Sequence, residues 1–191
     1  ALVVDRAAAA HPAVDDVTLE VRSTVHGPIL SGVSGELAQV AADPYTGTTD
    51  AVTAPDAAPP SETTPGETAV SLRWTALDPG NTAASIFAMD TASDFDAFRA
   101  AATLFDVPAQ NLVYADRAGD IGYQTPGRLP VRGAGDGTMP QPGWDSAFAW
   151  QGFIPFDELP TAYNPAEGYI VTANNAIVGE DYPYFLTRDW D

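Results

Sequence analysis

The chain has no cysteine, and it sets 8 lysine and arginine residues against 26 aspartates and glutamates. The missing thiols exclude disulfides, a thiolate nucleophile and cysteine-ligated zinc, while leaving the compartment open. A formal net charge of −18 leaves too little positive charge to neutralise phosphates, which excludes nucleic acid as a partner and anionic membrane surfaces with it. Histidine is equally scarce: His11 and His26 are the two present, without the number or spacing of a metal site. No apolar run approaches the roughly 18 residues of a membrane span. There is no signal peptide and no initiating methionine, and the start, Ala1-Leu2-Val3-Val4-Asp5-Arg6, reads as the middle of a longer chain.

What the chain does have is proline and glycine, 17 and 16 of its 191 residues, which favours a turn-rich, mainly β architecture over a helical bundle. Hydrophobic residues make up 45%, enough for a sizeable core in one domain or one and a half. The carboxylates solvate the surface. Acid-rich loops are also places to hold calcium, although solvation alone accounts for them.

Residues 1–13 are alanine-rich and stopped by His11-Pro12, as in a linker. Val17 to Val25 alternates, with Val17, Leu19, Val21 and Val25 on one face, which predicts a half-buried strand. Gly27-Pro28 predicts a bend before Ile29-Leu30 resumes it, with His26 packing or hydrogen-bonding there rather than acting as a base. Residues 42–69 are small, polar, acidic and proline-rich, a flexible surface insertion. Val70–Leu77 alternates again, a second strand, ended by Asp78-Pro79-Gly80. One helix stands out, from about 93 to 105, with Ser93 as N-cap and Phe95, Phe98, Ala102 and Phe105 on a face suited to packing on a sheet. Gln110–Asp116 and Asp120–Gln124 predict a hairpin around Arg117-Ala118-Gly119. Gly133–Gly143 is a long loop that lacks the lysine and helix of a phosphate cradle. Trp144, Phe148, Trp150, Phe153 and Phe156 are dense enough to line a pocket or, more simply, to cover a sheet. Tyr169–Thr172 predicts a final strand running into Ala173-Asn174-Asn175-Ala176.

No complete catalytic set emerges from the residues alone. There is no Gly-x-Ser-x-Gly elbow and no Ser-His-Asp pattern. Asp157 and Glu158 are adjacent on a proline-rich turn and will not face each other across a sugar. No run matches a calcium-hand loop. The Asn174-Asn175 pair reads as a turn. It also reads as a carboxamide donor aimed from a strand end at a reacting group.

A series of short stretches, in order, resembles the β subunit of penicillin acylases (penicillin amidases). They include Thr24-Val25-His26-Gly27-Pro28-Ile29-Leu30, Leu72-Arg73-Trp74, Gln110-Asn111-Leu112-Val113-Tyr114-Ala115-Asp116 and Gly119-Asp120-Ile121-Gly122-Tyr123. Pro140-Gln141-Pro142-Gly143-Trp144, Gly152-Phe153-Ile154-Pro155-Phe156, Tyr163-Asn164-Pro165, Gly168-Tyr169-Ile170 and Ala173-Asn174-Asn175 continue the series, which covers about Val17 to Pro183. Each stretch is weak alone, and the ordered series is specific.

The resemblance implies an α+β fold, mainly antiparallel β with one amphipathic helix, a portion of the αββα fold of N-terminal nucleophile hydrolases. In that family a precursor cuts itself so that a serine begins the β subunit. The serine attacks an amide with its own α-amine as base, a group whose pKa lies near neutral. The resemblance assigns the oxyanion-donor asparagine to Asn174, with Asn175 in support. The nucleophile and a backbone oxyanion donor would lie upstream of Ala1, and an arginine found in some members beyond Asp191. Residues 1–191 would then be a single domain, an inert fragment needing the remainder of the β subunit and the α subunit, with a small N-acyl compound as substrate. The chemistry requires no cofactor. A structural calcium is implied, with Asp136, Asp181 and Asp189 as nearest candidates, and a secreted or periplasmic location. The rival expectation is a non-catalytic β-rich binding or structural module.

Overall fold

A computed structural model describes residues 21–42 and 68–190. The expected linker at 1–13, the first part of the strand at 17–25 and residues 43–67 of the surface insertion lie outside the described residues. The chain divides into two compact units, Ala1–Thr48 with Ala58–Trp74, and Thr49–Ala57 with Thr75–Asp191. The fold is α+β, built from small antiparallel sheets and short helices. The helix near residue 95 is one of three α-helices among the described residues, where the sequence singled out one.

In the first unit, β1 (Ser23–Thr24) and β2 (Gly27–Pro28) form a tight hairpin. The chain reverses at Val25-His26, earlier than the expected Gly27-Pro28 bend. Gly27, at φ 122, supplies the backbone angle that a side chain resists, and the Thr24 hydroxyl accepts from the His26 amide at 3.1 Å. Val25 therefore stands at the turn, 89% exposed, instead of sharing a buried face. Residues 68–72 run back alongside. Leu30 N–H donates to Val70 O at 2.8 Å, Leu72 N–H donates to Pro28 O at 2.9 Å, and Ile29 and Ser71 form a bridge. Helix α1 (Gly35–Ala42) follows, with the Ser34 hydroxyl accepting from the Leu37 amide at its start.

The expected strand Val70–Leu77 shrinks to that single bridge at Ser71, and Thr75–Leu77 winds into a 3₁₀ turn. Alternation proposes a strand, but a strand persists only where a second chain satisfies its amides and carbonyls. Trp74 and Leu77 remain exposed.

The second unit holds the core. Helices α2 (Thr82–Met89) and α3 (Phe95–Ala102) pack through small residues. Fully buried Ser85 donates to Ala101 O at 2.8 Å. Asp94 rather than Ser93 caps α3, its carboxylate accepting from the Ala97 amide at 2.8 Å. The three-stranded sheet runs β3 (Leu112–Ala115), β4 (Ile121–Gln124) and β7 (Thr161–Tyr163), with β4 central. The β3–β4 hairpin is the expected one, and Gly119 turns it at φ 95.

Register explains why α3 docks there. Gly122 of β4 lies opposite Tyr114 on one side and Tyr163 on the other. Its missing side chain leaves a gap between two tyrosines, and the ring of Phe95 fills it. A Cβ on Gly122 would come within 2.3 Å of that ring. Phe95 stacks on Tyr163 at 4.8 Å and meets Tyr114 at 5.5 Å. The predicted apolar face of the helix does pack on the sheet, with Phe95, Ala102 and Phe105 buried.

Strands β5 (Pro130–Arg132) and β6 (Trp150–Phe153) form a separate bulged pair that flanks the glycine-rich loop. Trp150 and Phe153 belong to that pair and meet edge to face at 6.1 Å.

Candidate functional site

The stretch bearing Asn174 leaves the sheet at β7. Asn164, at φ 46, closes that exit: its amide donates to Ile121 O at 2.9 Å, its carboxamide oxygen accepts from Ile121 N–H at 2.9 Å, and its Nδ2 donates to Asp120 Oδ1 at 2.7 Å. A turn over Pro165–Gly168 follows, with Gly168 at φ 75. The expected strand at Tyr169–Thr172 is absent. Beyond Tyr163 the described residues contain no helix or strand. Tyr169 and Val171 are exposed, so the β-branched pattern there lacks the neighbouring strand that would use it.

Asn174 sits at φ 62, in the left-handed region that asparagine enters more readily than most residues, and is exposed. Asn175 braces the loop on both sides of it. Its Oδ1 accepts from Ala173 N–H at 3.1 Å and its Nδ2 donates to Ala176 O at 3.1 Å. One asparagine is thus spent on local geometry while its neighbour adopts a left-handed backbone angle. The Asn175 bonds are those of the turn that the sequence allowed the pair.

Of the three calcium candidates, Asp136 is engaged within the chain. Asp136 accepts from the Thr138 amide at 3.0 Å and hydroxyl at 2.6 Å, and it pairs with Arg188 at 2.9 Å. These hydroxyl and amide bonds, with the Arg188 charge, hold its carboxyl below the usual range. A guanidinium on the carboxylate opposes a divalent cation there. Among the described residues no three histidine, aspartate or glutamate side chains come together as a metal site. Asp136, Asp181 and Asp189 do not by themselves assemble one.

A polar hub at the hairpin was missed in the sequence reading. Asp116 accepts from the Tyr114 hydroxyl at 2.9 Å and from the amides of Ala118, Gly119 and Asp120 at 2.8, 3.0 and 3.0 Å. The spacing Asp-x-x-Gly in a hairpin turn was the available signal. The Tyr114 bond above all, then the turn amides, lowers the Asp116 carboxyl. Tyr114 is pushed up to about 12 by burial and then by Asp116.

The signs follow from linkage. A depressed acid adds stability that is present above its unfolded value, near 4, and is lost as pH falls through the folded one. A raised tyrosine adds stability that is complete below about 10 and is lost as pH rises toward 12. Tyr114→Phe should therefore lower the melting temperature at pH 7, and the gap to wild type should narrow by pH 11. A constant gap across that range would refute the assignment.

Among solved structures the chain is similar to a thermostable penicillin G acylase from Alcaligenes faecalis, with a TM-score of 0.61 and 25% identity over 97% of this chain and 28% of that one. The class the architecture defines is therefore that of the penicillin acylases. The family model for penicillin amidase matches residues 5–191, and the chain belongs to the penicillin amidase family, a family of amidohydrolases.

Curated relatives agree. A penicillin acylase 2 proenzyme from Pseudomonas sp. (strain SE83) is 43% identical over 79 residues, 41% of this chain and 10% of that protein. An acyl-homoserine lactone acylase from Pseudomonas fluorescens is 39% identical over 82 residues, 43% of this chain and 10% of its own length. The penicillin G acylase of Escherichia coli is 44% identical over 77 residues, 38% of this chain and 8% of its own. The matched segment thus spans about a tenth of these relatives.

Proposed function

We propose that the chain is part of the β subunit of a penicillin amidase-type hydrolase of the N-terminal nucleophile kind, and that Asn174 donates a side-chain hydrogen bond to the reacting oxygen. The observation that carries this reading is the Asn174 loop: an exposed asparagine at φ 62, braced by Asn175, inside a family match that runs through it. The serine that attacks, the α-amine that takes its proton and a second donor belong to parts of the enzyme outside this chain.

In the first step the serine oxygen bonds to the amide carbonyl carbon and its proton passes to the α-amine. The carbonyl oxygen becomes an oxyanion, which accepts from Asn174 Nδ2 and from a backbone N–H. The amine departs with the proton, leaving an acyl-enzyme, and water then releases the acid. Carboxamide donors suit this task because they carry no charge of their own and cannot be titrated away near neutral pH.

The substrate is a small N-acyl compound with a linear amide, of the penicillin or acyl-homoserine lactone type that the relatives' names indicate. The partners are the remainder of the β subunit and the α subunit of one precursor. The proenzyme among the relatives supports that arrangement. Exposed Phe87, Val33 and Val171 fit surfaces that such neighbours cover. The location is secreted or periplasmic, and this chain alone is inactive.

The test is the intact mass and N-terminal sequence of the protein made from its full gene. Two chains are expected, the one containing Val17 to Pro183 beginning with serine. A single uncut chain would overturn the catalytic reading and leave a β-rich binding or structural module.

A further inference from the structure

We infer that Glu158 and the tyrosine pair Tyr182 and Tyr184 form a clamp that positions the Asn174 loop for catalysis. This rests on the reading of Asn174 as the oxyanion donor. An oxyanion donor must be held in place before charge develops, because its advantage over water is that it need not reorganise. Yet the loop belongs to no helix or strand. Side chains fasten the chain on both sides of it.

The upstream end is fastened by Asn164 to β4. On the downstream side two tyrosines converge on Glu158. The Tyr182 hydroxyl donates to the Glu158 carbonyl at 2.9 Å, and the Tyr184 hydroxyl donates to Glu158 Oε2. The two rings meet edge to face at 5.7 Å, so the pair acts as a unit. Glu158 ends a 3₁₀ turn (Phe156–Glu158).

That turn is itself fixed to the core. Arg99 of α3 pairs with Asp157 at 3.3 Å, lies 5.3 Å from the Phe156 ring centre, and donates from Nε to Gln124 Oε1 at 2.9 Å. Gln124 is fully buried in the central strand, and Leu159, next to Glu158, is buried too. A continuous path of side chains therefore runs from β4 through Arg99 and the 3₁₀ turn to the tyrosines beyond Asn174. Asp157 and Glu158, unsuited to paired acid chemistry, have a structural division of labour: one grips the helix and the other grips the loop.

The experiment uses the complete, processed enzyme, with penicillin G or an N-acyl-homoserine lactone as substrate, whichever the wild type hydrolyses. The variants are Tyr182→Phe/Tyr184→Phe, Glu158→Ala, Glu158→Gln and Asn174→Gly. Removing both hydroxyls keeps the ring contact but releases the loop end. Because misplacement of a reacting group by about 1 Å can cost about 10²-fold, the partial release is expected to lower kcat about tenfold. KM should stay near wild type, since the oxyanion contact is made in the transition state, while the melting temperature should fall modestly with the two lost hydrogen bonds. Glu158→Gln retains an oxygen to accept from Tyr184 and should recover most of the kcat that Glu158→Ala loses.

Wild-type kcat in the double phenylalanine variant, alongside an inactive Asn174→Gly, would overturn the clamp and leave the donor reading standing. So would a kcat loss from Glu158→Ala that Glu158→Gln does not relieve. An active Asn174→Gly would overturn the donor reading and the clamp with it.

Discussion

Replacing Asn174 by glycine is expected to leave the precursor cut into its two chains while turnover falls about 10²–10³-fold, the usual cost of losing one preorganised oxyanion donor. Glycine is the cleaner substitution. At φ 62 it accepts the backbone angle without strain, so the carboxamide is the one thing removed. Asn174→Ala should lose the same catalytic factor and, relative to glycine, carry a backbone cost of about 1 kcal/mol, because alanine has a Cβ without the local polar bonding that lets asparagine occupy the left-handed region. The difference between the two variants thus separates loop geometry from chemistry. Both should bind substrate with little change in KM, because the ground-state carbonyl demands far less of the donor than the oxyanion does. The measurement is kcat on processed enzyme, with the two chains confirmed by mass. Turnover within about tenfold of wild type in Asn174→Gly would remove Asn174 from the mechanism, on the scale set for a lost donor.

Phe95→Ala is expected to destabilise the sheet unit by about 3–5 kcal/mol, the range for a large aromatic removed from a core. The site has little scope to collapse. The ring occupies a gap walled by Tyr114 and Tyr163 and floored by Gly122, whose backbone is fixed by pairing on both sides. Phe95→Leu should cost less, since a branched aliphatic fills part of the space. The converse change, Gly122→Ala, places a Cβ 2.3 Å from the same ring and should cost about 1–3 kcal/mol by overpacking. Melting temperatures of the processed enzyme check all three. A Phe95→Ala protein that melts with wild type would show that α3 is not anchored through this ring.

The same contact shows what a sequence can and cannot convey. The period of Phe95, Phe98, Ala102 and Phe105 announces a helix with one apolar face, because helical geometry alone puts those positions together. It does not announce Gly122 as the partner, because that requires the register of two strand pairs. The hairpin around Gly119 was legible for a local reason: its turn residues and flanking β-branched positions are contiguous. Helices α1 and α2 passed unnoticed. Each is eight residues long, and α2 carries apolar residues around most of its circumference, with no side-chain cap to mark its start. Val70–Leu77 and Tyr169–Thr172 carried strand patterns that the chain does not use.

The sequence by itself determined the exclusions, the α+β class and the family. Charge, cysteine count and the order of short stretches are properties of the chain that no folding step can alter. Tertiary structure alone decided which alternating segments became strands, because a strand exists through its partner's hydrogen bonds. It alone decided that Asp136 faces Arg188 and that Glu158 receives two tyrosines from farther along the chain. Those pairings join residues distant in sequence, and no local pattern of residue types encodes a contact that only the path of the backbone brings about.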